Sequence, residues 1–526
     1  MQSELEKNIH LLADHNLEAT LKIGRIGIEK ESLRTDMQGL IANTDHPKAL
    51  GAALTHPFIT TDYSEALLEF VTPPLASSEE ALDFLGDIHK FVYPNLTKEC
   101  LWPASMPCRL KGETSIRIAE YGRSNLGMMK HVYRKGLGYR YGKIMQVIAG
   151  IHVNLSMPDA FWGPWQQALN NSGSRQDFIS EQYFRLIRNL QRIGWLIPYL
   201  FGASPAIDKS FTHEGIRDLK QWDKETLFAP YATSLRLGDI GYTNHRENEI
   251  GVNACYDNLT EYVNCLTRAI ETSYPPYEEI GVKVDSEYRQ LNSNILQIEN
   301  EYYGVVRPKQ IAYRAEKPTH ALLDRGVSYV EIRSLDINPY SPFGISIEQL
   351  HFIEILFLYC LLGNEDIIDR TEREEIDINS YEVSHFGRRL GLHLRRRGES
   401  VPLQVWANEI FDDLLLLAGI VDKQGKHSYY TSAIKQFRIC IESIEHTISA
   451  RILADMHENK CSYYEFVENL GKQYCKLLGT TEPDRQAQFL GAVEKSLMDQ
   501  KDIESKDHQN FDEFLQAYFA QTYTLK

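Results

Sequence analysis

The sequence predicts an α+β protein in which a sheet cups a ligand, helices surround that sheet, and a helical region occupies the C-terminal end. Two observations lead there. In the N-terminal two-thirds, five short segments alternate with period two, and their polar faces carry Glu, His, Asn and Arg in place of the Lys and Thr usual on a solvated sheet. After about Ile345 the pattern is almost entirely helical. No internal repeat, low-complexity tract or Pro/Gly/Ser-rich linker divides the chain. Residues 1–526 are therefore expected to form one unit, with a strand-rich core over about 20–345 and the helices of about 346–526 packed on it.

The elements follow in chain order. Gly24-Arg-Ile-Gly-Ile-Glu-Lys-Glu31 sets Arg25, Gly27, Glu29 and Glu31 on one strand face and Ile26 and Ile28 on the other. Ala66-Leu-Leu-Glu-Phe-Val71 surrounds Glu69 with apolar residues, where a charge is costly unless it is paired, metal-bound or on the open side of an edge strand. Gly150-Ile-His-Val-Asn-Leu-Ser156 presents His152, Asn154 and Ser156 opposite Ile151, Val153 and Leu155. Asp177 to Phe201 reads as one long buried helix stopped by Gly202 and Pro205. Leu291 to Glu301 contains strand-length alternation of a less regular kind. Tyr329-Val-Glu-Ile-Arg-Ser334 places Tyr329, Glu331 and Arg333 on one side and Val330 and Ile332 on the other. Further helices are expected at Ile347–Leu362, Leu403–Ala418, Ser432–Met456 and Tyr463–Leu478.

Composition narrows the function. With 43% hydrophobic and 24% charged residues the chain is of ordinary globular make-up. A formal charge of −16 argues against a nucleic-acid or acidic-membrane partner, so an anionic substrate needs metal ions or locally placed arginines. The first residues, MQSELEKNIHLLADH, lack the basic and apolar blocks of a secretion signal, and the most apolar stretch, Phe352 to Leu362, is short and contains Glu354. A cytoplasmic location without membrane contact is expected. The eight cysteines make neither a CxxC pair nor a zinc spacing and read as reduced thiols. Cys108, after Met106-Pro107, has the best claim to exposure, although a packed thiol is the commoner outcome.

The chemistry lies in scattered carboxylates. Glu29 and Glu31, the stretch from Asp62 to Glu69, and Glu331, together with His152, make an oxygen-rich cage for several divalent cations if the fold gathers them. Such a cage holds the phosphates of ATP without a P-loop. A single imidazole among carboxylates suits Mg²⁺, with Mn²⁺ also compatible, and does not suit a structural zinc site. Arg333 is placed to reach a phosphate oxygen, stabilising charge on a transferring phosphoryl group. Each feature has a plainer reading: most Glu-x-Glu faces are solvated, a histidine between Ile151 and Val153 is commonly structural, and Arg134, Arg236 and Arg333 each suit an ordinary salt bridge. Signatures of P-loop, dinucleotide, serine-hydrolase, zincin and catalytic-cysteine enzymes are missing. The chain reads as an ATP-dependent ligase.

At these residues the sequence resembles the bacterial glutamate-cysteine ligases of the proteobacterial type. The resemblance covers nearly all of 20–345 and rests on Gly27-Ile-Glu-Lys-Glu-Ser-Leu-Arg34, Thr55-His-Pro-Phe-Ile-Thr-Thr-Asp62, Glu65-Ala-Leu-Leu-Glu-Phe-Val-Thr-Pro73, Leu101-Trp-Pro-Ala-Ser-Met-Pro-Cys108 and Ile197-Pro-Tyr-Leu-Phe-Gly-Ala-Ser-Pro205. It continues through Pro230-Tyr-Ala-Thr-Ser-Leu-Arg-Leu237, Ile295-Leu-Gln-Ile-Glu-Asn-Glu301 and Tyr329-Val-Glu-Ile-Arg-Ser-Leu-Asp-Ile-Asn-Pro339. It implies a glutamine-synthetase-like fold, a curved and mainly antiparallel sheet holding Mg²⁺, ATP and the acceptor carboxylate. By the same resemblance Glu29, Glu31, Asp62, Glu69, His152 and Glu331 look like the metal cage, with Arg333 and Glu331 catalytic. Tyr133, Arg134, Asn154, Arg236, Tyr242 and Tyr303 match positions that shape the amino-acid pockets.

The implied reaction activates the γ-carboxylate of L-glutamate with ATP and joins the resulting γ-glutamyl phosphate to the amine of L-cysteine, the first step of glutathione biosynthesis. Some family members pair the cysteine matching Cys108 with another beyond the His152 strand; Phe161-Trp-Gly-Pro-Trp-Gln166 offers none, so a bridge there is not expected. No fused glutathione-synthetase module is expected either, and the protein is expected to be a monomer. Rival readings are a carboxylate-amine ligase with another amine, a catalytically inactive binding homologue, and a glycoside hydrolase with paired acids.

Overall fold

The computed structural model describes residues 4–212, 219–241, 255–363, 366–425, 427–477, 479 and 481–521. Its centre is a seven-stranded sheet. The strands are β1 (Arg25–Asp36), β2 (Ile59–Thr61), β3 (Leu67–Val71), β4 (Glu99–Leu101), β5 (Ile151–Ser156), β6 (Val306–Lys309) and β7 (Tyr329–Leu335). They lie in the order β6-β7-β5-β1-β3-β2, with β4 pairing the far end of β1, and every pairing is antiparallel. The α+β expectation holds.

Period two makes this sheet two-faced. Ile26 and Ile28 of β1, Phe70 of β3, Ile151, Val153 and Leu155 of β5, and Val330 and Ile332 of β7 are all buried on the underside. Removing each such side chain from water contributes about 1.5–3 kcal/mol, which holds the strands in one register. The helices Ser78–Val92 and Arg175–Ile193 pack against the sheet, and Ile347–Leu362 packs on both helices. Ser77 begins the first by accepting from Glu80 N at 3.2 Å. Ile347–Leu362 is apolar on every side, as a wholly buried helix must be. Of its two acids, Glu348 lies in the first turn and Glu354, buried, accepts from Ser78 and Tyr430. One polar group also enters the underside: Lys30 is buried beside Ser32 and His89, and burial lowers its ammonium to about pKa 7.

A second apolar cluster sits at one flank. Phe511, Leu515 and Tyr518 of the helix Phe511–Phe519 pack on Met129 and Val132 of the helix Asn125–Tyr141, with Tyr133 at the cluster's edge. Asn125 Nδ2 ties the same helix down by donating to Asp507 Oδ1 at 2.6 Å and Gln509 O at 2.8 Å. Lys317 Nζ donates to Phe519 O at 3.1 Å and Gln521 O at 3.0 Å. The late segment thus clamps an early helix.

Several expected elements differ. Leu291–Glu301 is no strand: its polar side chains bond the local backbone, Asn292 Nδ2 to Gln297 O at 2.9 Å and Gln297 Oε1 to Leu291 N at 3.0 Å, and it ends in a 3₁₀ turn at Glu299–Glu301. The long helix expected over Asp177–Phe201 is two, Arg175–Ile193 and Leu196–Phe201. Pro198, with no N–H to offer the carbonyl of Gly194, forbids continuation. Ser432–Met456 likewise divides into Tyr429–Glu442 and Ile448–Glu458 around a 3₁₀ turn at Ile444–His446. The C-terminal region also carries a hairpin, His393–Arg396 with Glu399–Pro402. Among the described residues no helix is long and apolar enough to cross a membrane. Cys108 is buried and Cys475 is the exposed cysteine.

Candidate active site

Register assembles the site. Glu29 stands opposite His152, Glu31 opposite Glu69, and Glu331 opposite Asn154. Directly opposed residues of an antiparallel pair share a face, so residues from widely separated parts of the sequence meet on one surface. Strand β6 adds Arg307 opposite Glu331 and Lys309 opposite Tyr329.

His152 is the hub. Its Nδ1 lies 3.3 Å from Glu29 Oε2 and 3.5 Å from Glu331 Oε1, and its Nε2 lies 3.8 Å from Glu31 Oε1. Ligand atoms of Glu29, His152 and Glu331 all fall within 4.8 Å of one another. Asp62, just beyond β2, and Glu69 stand outside this trio, on the side of Glu31. Asp62 lines the neighbouring cavity with Glu31. Burial, and then the charges of Glu29, Asp62 and Glu31, hold the Glu69 carboxyl well above its ordinary range. Burial and Asp62 push Glu31 up to about 8, against the pull of Arg236, Arg333 and the Gly150 N–H, which donates to Glu31 Oε2 at 2.6 Å. Glu331 behaves oppositely. Burial opposes its ionisation, but the charges of Arg333 and Lys309 hold it far below the usual carboxylate range. Burial and Arg333 lower His152, leaving a neutral imidazole with a lone pair to give.

A cavity of about 130 Å³ opens beside the cage. Tyr133 and Arg134 enter it from the helix Asn125–Tyr141, Arg333 and His152 from the sheet, and Arg236 and Tyr303 from loops. Arg134 stacks over the Tyr121 ring at 4.7 Å and donates to the Asp62 carbonyl and to Lys130 O. Arg236 Nη2 donates to Arg333 O at 3.0 Å, and its Nη1 lies 3.5 Å from Asp336 Oδ1. Asp336 is itself locked by Ala203 N and Ser204 Oγ, each at 2.8 Å, and Ser234 Oγ at 3.0 Å. Asn154 does not line the cavity; it donates to Glu29 Oε1 at 2.9 Å and belongs with the cage. Tyr242 lies outside the described residues.

Sequence reasoning passed over Arg307 and Lys309 on β6. The signal was present, since Arg307-Pro308-Lys309 repeats with period two, but proline speaks against a strand except at a sheet edge, and β6 is an edge. It also passed over Tyr63, Gln146 and Glu301 in the cavity wall; Glu301 pairs with Arg140 at 2.8 Å, both buried.

Three buried atoms state what the site lacks. Glu331 Oε2 and Asn154 Oδ1 have no hydrogen-bond donor, and Arg333 Nε has no acceptor. Orphan acceptors among clustered carboxylates fit a divalent cation, and an orphan guanidinium donor beside them fits an anion. The donor set, oxygens with one imidazole, fits Mg²⁺ or Mn²⁺. Side by side, the two needs match a metal-bound phosphate.

Comparison with known proteins shows the family. The family model described as glutamate-cysteine ligase matches residues 9–383. A glutamate-cysteine ligase of Pseudomonas entomophila is 44% identical over 497 residues, 94% of this chain and 93% of its own. One of Azotobacter vinelandii is 43% identical over 526 residues, 99% of both. The crystal structure of a Francisella tularensis glutamate-cysteine ligase in complex with AMP superposes with a TM-score of 0.88 at 33% identity, covering 95% of this chain and 98% of that one. A bifunctional glutathione synthetase of Pasteurella multocida shares the fold, with a TM-score of 0.69 at 24% identity over 89% of this chain and 54% of that one. On its sequence, its antiparallel sheet and these relatives together, the chain belongs to the glutamate-cysteine ligase family.

Proposed function

We propose that this protein uses ATP to join the γ-carboxylate of L-glutamate to the amine of L-cysteine through γ-glutamyl phosphate, the first step of glutathione biosynthesis. The observation that carries the reading is the pairing of orphan acceptors on Glu331 and Asn154 with the orphan donor of Arg333 at the edge of a cavity walled by arginines. Glu29, Glu31, Asp62, Glu69, His152 and Glu331 hold Mg²⁺, for which Mn²⁺ can substitute. The metal supplies charge neutralisation for the triphosphate.

The chain's own groups do the positioning. Arg333 keeps Nη1 on Glu331 at 2.8 Å and offers Nε to a phosphoryl oxygen, where negative charge is gathered as the terminal phosphoryl passes to the γ-carboxylate. Arg236, fixed by Asp336, and Arg134 hold substrate carboxylates. Tyr133 and Tyr303 shape the amino-acid pockets. The amine then attacks the acyl carbon and phosphate leaves, so no protein nucleophile is needed. Bringing the three substrates together is most of the catalysis. We further place the protein in the cytoplasm as a monomer, residues 1–526 forming one catalytic unit, without nucleic-acid or membrane partners.

The test is ADP release from Mg-ATP and L-glutamate, with and without L-cysteine, in the parent protein and in Glu331→Gln. Cysteine-dependent release matched by dipeptide, and lost in the variant, is expected. Equal rates with simple amines would remove the cysteine assignment, and no ADP with any amine would remove the ligase.

A further inference from the structure

The two oxygens of Glu331 are treated unequally. Oε1 takes a hydrogen bond from Arg333 at 2.8 Å, whereas Oε2, equally deep, faces Lys309 Nζ at 3.4 Å without hydrogen-bond geometry. The Glu331 side chain is 1% exposed and that of Lys309 30%, so the ammonium reaches in from outside. Its strand, β6, is the sheet's edge, and its stem is a flexible chain ending in a point charge, unlike the planar fork of Arg333. Lys309 is also absent from the lining of the amino-acid cavity, which Arg307 and Arg333 both reach. It approaches Glu331 from the Tyr329 side.

This arrangement conflicts with a bound metal. A divalent cation on Glu331 stands within a few ångströms of the Lys309 ammonium, and the two repel in a buried setting. The ammonium therefore leaves Oε2 when the metal arrives, and needs another anion. Lys309 does not line the cavity assigned above to the substrate carboxylates, so the anion left for it is the triphosphate that comes with the metal. We propose that Lys309 is an exchangeable counter-ion that neutralises Glu331 in the ligand-free protein and passes to the outer phosphates of the nucleotide on loading, so that metal and nucleotide each strengthen the other's binding. Coupling of this kind is reciprocal by linkage. The inference rests on the function proposed above and adds to it a residue and a reason for joint binding.

The experiment uses Lys309→Met and Lys309→Arg in the full chain, titrated with Mn²⁺ alone, with the non-hydrolysable analogue AMPPNP plus Mg²⁺, and with AMP. Removing the competing ammonium should leave Lys309→Met binding Mn²⁺ alone at least as tightly as the parent. The same variant should bind Mg-AMPPNP about tenfold more weakly and lose the rise in Mn²⁺ affinity that AMPPNP causes in the parent. AMP, which lacks the outer phosphates, should bind both alike, and Lys309→Arg should recover part of the AMPPNP affinity. A merely structural pair predicts something else: unchanged AMPPNP affinity, or weaker Mn²⁺ binding together with a lower melting temperature, and either result overturns the proposal. If Lys309→Met does not fold, the parent decides, because Mn²⁺ and AMPPNP that bind independently there refute the coupling. A parent that binds neither ligand refutes the ligase reading itself, a distinct result.

Discussion

Asp336 holds Arg236, which lines the cavity, without lining the cavity itself. It is buried, accepts three hydrogen bonds from Ala203, Ser204 and Ser234, and stands 3.5 Å from Arg236. Asp336→Asn keeps the size and removes the charge that aims Arg236. We expect KM for L-glutamate to rise roughly tenfold, for about 1.4 kcal/mol of lost binding, with kcat changing less, as initial rates at saturating ATP will report. Arg333→Lys keeps charge but loses the fork whose Nη1 holds Glu331 and whose Nε is proposed above for a phosphoryl oxygen, so kcat should fall about 10²–10³-fold with nucleotide binding largely retained. Two histidines that belong to neither the cage nor the cavity lining contribute to the acid limit. Burial lowers His56 and His46 to about 4. His56 Nδ1 accepts from Phe58 N at 3.1 Å and Ile59 N at 2.9 Å, which requires the neutral ring. A lowered folded-state value means that the unfolded chain binds protons first, so stability is fully present above about pH 6.5 and is lost as pH falls towards 4. Denaturant titrations at pH 7 and pH 5 should differ by about 1–2 kcal/mol for each histidine, and His56→Asn should flatten that slope.

At the scale of the element, β1 carries most of the consequence. Its upper face delivers Glu29 and Glu31 while Ile26 and Ile28 are buried beneath, so a slip of one residue would bury the acids and expose the core. Ile28→Ala should cost about 2–5 kcal/mol by chemical denaturation. These strands were legible because alternation places unusual polar residues between branched apolar ones, and β1, β5 and β7 all carry that pattern. Strand β6 was not legible, since Pro308 reads as a break until a sheet edge is known to receive it. Leu291–Glu301 misled for the opposite reason: its apolar spacing suits a strand, but among the described residues it pairs only through an isolated bridge of Asn294 with Ser273, and its Asn and Gln side chains satisfy the backbone locally. Helix lengths were overestimated where one residue decides, as at Pro198, because periodicity runs smoothly across a break that hydrogen bonding does not allow.

For the whole molecule, pattern alone placed Glu29, His152 and Glu331 on polar strand faces; that they gather was implied by the family resemblance, and other relations between distant segments were not legible. Nothing in the local sequence says that Asn154 turns to Glu29 and away from the cavity, or that Phe511 packs beneath an active-site helix. That second relation is open to test. Phe511→Ala removes a buried ring from the cluster holding Asn125–Tyr141, and should cost about 3–5 kcal/mol if the flank unfolds with the rest. Calorimetry will give the loss, and a rise in KM for the amino acids at temperatures below the transition will show Tyr133 and Arg134 displaced. The clamp also bears on the birth of the enzyme. A ribosome adding ~5–20 residues each second needs roughly twenty to seventy-five seconds to travel from residue 141 to residue 511. From the moment Glu331 is made the nascent chain holds every carboxylate of the cage, but the helix that walls the cavity still lacks Phe511, Leu515 and Tyr518 of its apolar support; competence to bind substrate arrives late in synthesis, after most of the polypeptide is made.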